Sequence, residues 1–186
     1  MTAVRPPPGW GVHLPTALET RVRAVCPHQP GGPWPSARAL TAALGAGARR
    51  SGPPRTVGAG RGLPLITGQP LLWAGVDLEL ECHAHPSGVV ESDLVAPPWD
   101  ELVTAAAAEE EWWELVDAVL AAVDARHGAV LDGEALDIAE PSAALLGARL
   151  RRHLGVLVGE HLAGAAGAAA VGYRSLPRSG LVLLLR

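Results

Sequence analysis

The residues best placed to do chemistry lie in GVDLELECHAH, Gly75 to His85. Val76, Leu78, Leu80 and Cys82 alternate with Asp77, Glu79, Glu81, His83 and His85. A period of two predicts a β-strand with one apolar face and one face of three carboxylates and two imidazoles. Same-face side chains on a strand stand roughly 6.5–7 Å apart, so His83 and His85 can converge on one metal ion such as zinc. Such a site needs further ligands from another element, for which Cys26 and His28 are nominal candidates. Cys82 points away from a regular strand's polar face. Two other uses remain open for that face: docking a basic partner, and simple solvation.

Other ionisable groups form two clusters. Glu109, Glu110 and Glu111, with Glu114 and Asp117, fall opposite a stripe of Trp112, Leu115, Val116, Val119, Leu120 and Val123, the pattern of a helix with a solvated acidic face. These acids can also join Asp77, Glu79 and Glu81 in one negative surface that steers basic partners. Asp132, Glu134 and Asp137 in DGEALD miss the spacing of a calcium loop and suit a turn or helix start.

Several chemistries are excluded or unsupported. The 186 residues contain no Lys and no Asn; all 15 basic residues are Arg. Schiff-base catalysis and a phosphate-binding loop lysine are therefore excluded, as is N-glycosylation. GAGRG (58–62) lacks the spacing of a dinucleotide-binding loop. No G-x-S-x-G, H-E-x-x-H or C-x-x-C occurs. Cys82, on the expected buried face among acids, reads as structural rather than nucleophilic.

Charge is strongly segregated. The net −4 divides into +7 over residues 1–62, −16 over 63–141 and +5 over 142–186. Such asymmetry suggests a partner surface or internal neutralisation between segments. Arg49, Arg50, Arg55 and Arg61, and Arg149, Arg151 and Arg152, suit pairing with the acidic middle better than nucleic acid, given an overall pI near 5.9.

The elements that must position these groups read as one α+β domain over 1–186. We expect an antiparallel or mixed sheet of about four to six strands packed by three to four helices. Helices are predicted at 16–25, 36–44, 100–126 and 141–154; residues 102–111 can form a separate short helix. Residues 1–12 read as an arm or early strand, and 45–62 as a flexible Gly/Arg/Pro-rich loop. Strands are predicted at 63–67 and 71–82, separated by a turn at Gly68-Gln69-Pro70. Further strands are expected at 89–90, 94–95, 129–131 and 156–158. A weak helix covers 161–170, and a terminal hairpin pairs 171–173 with 181–185. With no Phe, the six Trp must share the core with Leu and Val. No membrane-spanning run or signal peptide is visible, so a cytoplasmic protein with free thiols at Cys26 and Cys82 is expected.

The layout LLWAGVDLELEC, a Pro-Pro helix entry, WWELVDAVLAAVDARHGAVLDGEALD, HLGVLVGEHLAG and YRSLPRSGLVLLLR resembles a group of bacterial polymorphic-toxin immunity proteins, immunity protein 52, over about the last two thirds of the chain. That resemblance implies a cytoplasmic, non-enzymatic protein that neutralises a cognate toxin. Asp77, Glu79 and Glu81, then Glu109, Glu110 and Glu111, are the expected partner-binding residues, presenting carboxylates to a basic cleft. The alternative is a small metal-binding protein or metal-dependent enzyme using His83 and His85.

Overall fold

The computed structural model describes residues 19–27, 35–57, 65–84, 88–105, 109–132 and 141–185. Its fold is mixed α/β, built on one open antiparallel sheet. Among the described residues there are ten strands: β1 (Thr20–Pro27), β2 (Arg49–Arg50), β3 (Arg55–Val57), β4 (Leu65–Trp73), β5 (Val76–Ala84), β6 (Val89–Ala96), β7 (His127–Asp132), β8 (Gly155–Gly159), β9 (Gly172–Leu176) and β10 (Leu181–Leu185). The order is β2-β4-β5-β6-β1-β7-β8-β10-β9, with β3 also on β4. The helices are α1 (Pro35–Gly45), α2 (Trp99–Ala105), α3 (Glu109–Ala122), α4 (Leu146–Leu150) and α5 (Glu160–Ala163), the last continued by a 3-10 helix (Gly164–Ala169). The sheet is thus larger than the four to six strands expected.

The main correction concerns residues 16–25. A helix was expected from Leu18, Val22 and Val25, but the described part of that segment enters β1, the central strand. Across Thr-Arg-Val-Arg-Ala-Val-Cys the strand sets Val22, Ala24 and Cys26 in the core and Arg21, Arg23 and Val25 on the opposite face. Pairing to β6 and β7, whose partner residues are 62 to 112 positions away, outweighs local helical spacing. Gly128 permits this pairing: a Cβ there would lie 2.0 Å from the Arg23 carbonyl oxygen.

Gly68-Gln69-Pro70 is not a turn but the middle of β4. Pro70 lacks an N–H, yet β4's outer neighbour is interrupted there, between β2 at Leu71–Leu72 and β3 at Ile66–Gly68. The actual reversal is Ala74–Gly75, both with positive φ (49° and 82°), the requirement of a tight two-residue hairpin. Residues 45–62, expected as a loop, contain β2 and β3, because β4 offers them a free ladder. The separate pieces at 89–90 and 94–95 are one strand, β6. The 100–126 helix is split into α2 and α3, and 141–154 retains only α4. The arm at 1–12 lies outside the described residues.

Alternation gives the sheet two unlike faces. One is covered by α1, α2 and α3; Val22, Leu71, Leu78, Leu80, Leu94, Val130, Leu157 and Leu183 meet Leu102, Leu115, Val116 and Leu120 there. Tryptophans fill this layer: Trp73 packs on Trp112 at 5.9 Å, Trp112 on Trp113 at 6.4 Å and Trp99 on Trp113 at 5.9 Å. On the other face, Val156, Val158, Val182 and Leu184 lie under Leu146, Leu150 and Ala166. No described helix is long and apolar enough to cross a membrane.

Candidate functional site

The remainder of that second face carries charge. Three neighbouring strands bring Glu81 beside Asp93 and Asp93 beside Arg23, with His83 beside Glu91 one step along. The spacing of β5, β6 and β1 makes the residues a compact patch. Arg21 Nη1 donates to Glu81 Oε2 at 2.6 Å and to Asp93 Oδ2 at 2.7 Å, and its Nη2 reaches Glu19 at 2.8 Å. Arg23 donates through Nε and Nη2 to Asp93 at 2.9 and 2.7 Å, and lies 3.5 Å from Glu91. Asp93 has 0% exposure, so both guanidiniums neutralise it away from solvent. Burial alone would lower the Arg21 and Arg23 pKa values. Burial is the largest single influence, but the hydrogen bonds and charge attraction of Asp93, joined by Glu19 and Glu81 at Arg21 and by Glu91 at Arg23, together outweigh it and hold both above the ordinary arginine range.

His83 Nε2 lies 3.3 Å from Glu81 Oε2 and 4.0 Å from Asp93 Oδ2. The hydrogen bond to Glu81 raises the imidazole pKa against the opposing effect of burial, with Asp93 and Glu91 adding to the rise. The same bond, with that of Arg21, holds the Glu81 carboxyl down at about 2. Formally the patch sets two guanidiniums against Glu19, Glu81, Glu91 and Asp93. A protonated His83 moves it towards balance.

Glu81, His83 and Asp93 place one ligand atom each within 4.8 Å of one another. The donor set of one imidazole and two carboxylates suits zinc. However, Arg21 Nη1 already bridges both carboxylates, acting as a tethered cation. Any ion must displace a hydrogen-bonded guanidinium. His85 and His28 lie outside the described residues. Cys26 is in the core on the opposite face from His83, so it does not join that set. The two thiols are free; burial pushes Cys26 well up and Cys82 up to about 11, as expected of structural cysteines.

The expected acidic residues do not form one surface. Asp77 is exposed, but Glu79 pairs with Arg55 and Glu81 with Arg21. These side chains face away from α3, which covers the other side of the sheet. Glu109 and Glu110 meet Arg174 of β9, at 3.5 and 2.6 Å. β5 and β9 stand six strand spacings apart, roughly 28 Å along a sheet. Glu111 and Glu114 are exposed on α3 and Glu101 on α2, with no ion pair among the described residues. Asp117 is not part of that solvated run. It is buried and accepts from the Arg178 and Ser179 N–H groups and the Ser179 hydroxyl, fastening the β9–β10 turn. Asp132 ends β7, while Glu134 and Asp137 lie outside the described residues.

Arg21, Arg23, Glu91 and Asp93 were not anticipated as a site. Their signal was the period-two placement of charge in TRVRAVC and VVESDLVA; nothing local to either segment says that the two strands pair.

The class defined by these observations is a mixed α/β fold on an open antiparallel sheet with a closed charge network on one face. No family model, curated protein or solved structure matches the chain.

Proposed function

We propose that this chain is a protein-binding module whose acidic helical face receives a basic partner. The observation that carries this reading is the contrast between the two acidic regions. The strand carboxylates Glu79 and Glu81 pair with Arg55 and Arg21, whereas Glu111 and Glu114 of α3 and Glu101 of α2 are exposed with no ion pair among the described residues, and Glu110 of α3, though paired with Arg174, is exposed as well. An uncompensated negative surface steers association with a positive one. The resemblance to immunity protein 52 makes a cognate toxin acting on nucleic acid the expected partner, its basic cleft receiving carboxylates in place of phosphates. In that setting the protein works in the cytoplasm, without catalysis.

The test is affinity capture from the native host with the full chain, alongside the triple variant Glu110→Lys, Glu111→Lys, Glu114→Lys. A single basic protein retained by the parent, released by salt and lost from the triple variant is the expected result. Retention unchanged by the triple variant would remove α3 from the interface. Loss on Asp77→Lys alone would return the interface to the strand.

A second reading has one observation in its favour, the convergence of Glu81, His83 and Asp93. It makes the chain a zinc-binding protein in which Arg21 yields to the ion. Metal content of the purified protein decides it: stoichiometric zinc, lost on His83→Ala, supports this reading over the first.

A further inference from the structure

The two ends of the sheet differ in how they meet solvent. At one end, β2 exposes Arg49 and Arg50, and charge on an edge strand opposes pairing with another chain. At the other end is β9, whose one described neighbour is β10. Among the described residues no other strand lies on its outer side, and the two most exposed large apolar residues described are Val171 at 75%, next to β9, and Tyr173 at 77%, within it. The single charge in β9, Arg174, is turned in. Its guanidinium meets Glu109 and Glu110 and lies 5.9 Å from the centre of the Trp113 ring.

The faces of β9 are therefore chemically distinct. Tyr173 pairs across to Leu184 and shares its face with Ser175; Arg174 pairs across to Leu183, on the side of α3. On that side the first turn of α3 offers Glu109, Glu110 and Glu111. Arg174 reaches two of these from β9 itself. A residue on an added strand would stand about 4.8 Å further out, within reach of a long basic side chain.

We propose that β9 is a docking edge for an extended basic segment of the partner, which joins the sheet as a further strand. The inference rests on the acidic-face reading above and adds the backbone to it. Main-chain hydrogen bonds to β9 supply affinity, and alternation supplies selectivity. Residues of the incoming strand on the Arg174 side would be Arg or Lys, facing the α3 glutamates. Those on the other side would be apolar, covering Tyr173 and Val171. A second copy of this chain fits poorly, because two-fold pairing of β9 with itself brings two α3 glutamate clusters together.

The experiment measures amide hydrogen exchange across Gly172–Leu176 in the full chain. The probes are a synthetic peptide of alternating Arg and Val and a matched peptide of alternating Glu and Val. We expect the Arg/Val peptide to slow exchange in β9 roughly tenfold at saturation, and the Glu/Val peptide to leave it unchanged. Glu110→Lys with Glu111→Lys should abolish the effect, as should Tyr173→Lys, which sets charge against the incoming strand at a solvent-exposed position. Thermal unfolding of each variant checks that the fold is kept. Equal slowing by both peptides overturns the proposal. So does slowing that appears without peptide and grows with protein concentration, which would identify a second copy. If the Arg/Val peptide shifts the Glu110–Glu114 amide resonances but leaves β9 exchange unchanged, strand addition is overturned while the acidic-face reading stands. If capture of the host partner also survives charge reversal on α3, both fall.

Discussion

One face of the sheet is buried in two opposite ways. Over β8 and β10 it is apolar: Val156, Val158, Val182 and Leu184 sit beneath α4 and the 3-10 helix. Over β5, β6 and β1 the equivalent positions hold Glu81, Glu91, Asp93, Arg23 and Arg21. The backbone geometry is the same, since each residue is presented by strand alternation at the same spacing. What differs is how the groups depend on one another. Each apolar side chain contributes its own burial, at about 25 cal/mol per Å² removed from water. The charged groups have no such independence. Asp93 is tolerable at 0% exposure because two guanidiniums satisfy it, and they are tolerable because Asp93 and its neighbours accept their protons.

The largest effect should follow from opening the network at its centre. Asp93→Ala leaves Arg21 and Arg23 short of their shared acceptor and should cost about 3–5 kcal/mol in urea unfolding. In the apolar half, Leu184→Ala should cost about 2–4 kcal/mol, from lost transfer energy and the cavity left behind. A more telling comparison is the double variant Arg23→Met, Asp93→Leu. If the network acts as a unit, this double change costs less than Asp93→Ala alone. If its cost instead equals the sum of the two single changes, the charged half behaves like the apolar half and the contrast is lost.

The charged half should respond to pH through Glu81 and His83. Glu81 has a folded pKa of about 2 against an ordinary 4.5, so its contribution is present above about 4.5 and disappears as pH falls towards 2. His83 is shifted the opposite way, above its ordinary 6.5. Its contribution is complete below 6.5 and disappears as pH rises through the folded value. Together they give a stability maximum between about 4.5 and 6.5. The acid limb due to Glu81 should amount to about 2 kcal/mol, allowing for its partial exposure. Urea midpoints across pH, in the parent and in Glu81→Gln, measure it. A parent and variant with parallel profiles would detach Glu81 from the network.

Part of the fold can be read in the chain itself. Val76, Leu78, Leu80 and Cys82 alternate without interruption, and the structure buries all four. The +7 and −16 segments likewise indicate neutralisation, seen here as Arg21, Arg23 and Arg55 meeting acids of the middle segment. The partners themselves were illegible. Val22 and Val25 suit a helix as well as a strand, and the choice is made by β6 and β7, far away in sequence. Pro70 is a turn residue by local chemistry, and it enters β4 because of a gap between two other strands. The ten strands of the described residues were hard to count for the same reason: β2 and β3 are two and three residues long and exist by pairing with β4.

The smallest effect sharpens the contrast by separating charge from burial. Arg174 and Glu110 make as short a contact as Arg21 and Glu81, both at 2.6 Å, but the Glu110 side chain is 71% exposed. Water screens the exposed pair and solvates either partner when the other is removed, so Glu110→Gln should cost no more than about 0.5 kcal/mol. Raising salt to about 1 M, where the screening length is about 3 Å, should erase even that difference. The Asp93→Ala penalty should persist under the same conditions, because salt does not reach a carboxylate enclosed by guanidiniums. Urea unfolding of both variants at low and high salt makes the comparison. A salt-sensitive Asp93→Ala penalty would show that the patch is open to water, and that the protein places its charges here without sealing them in.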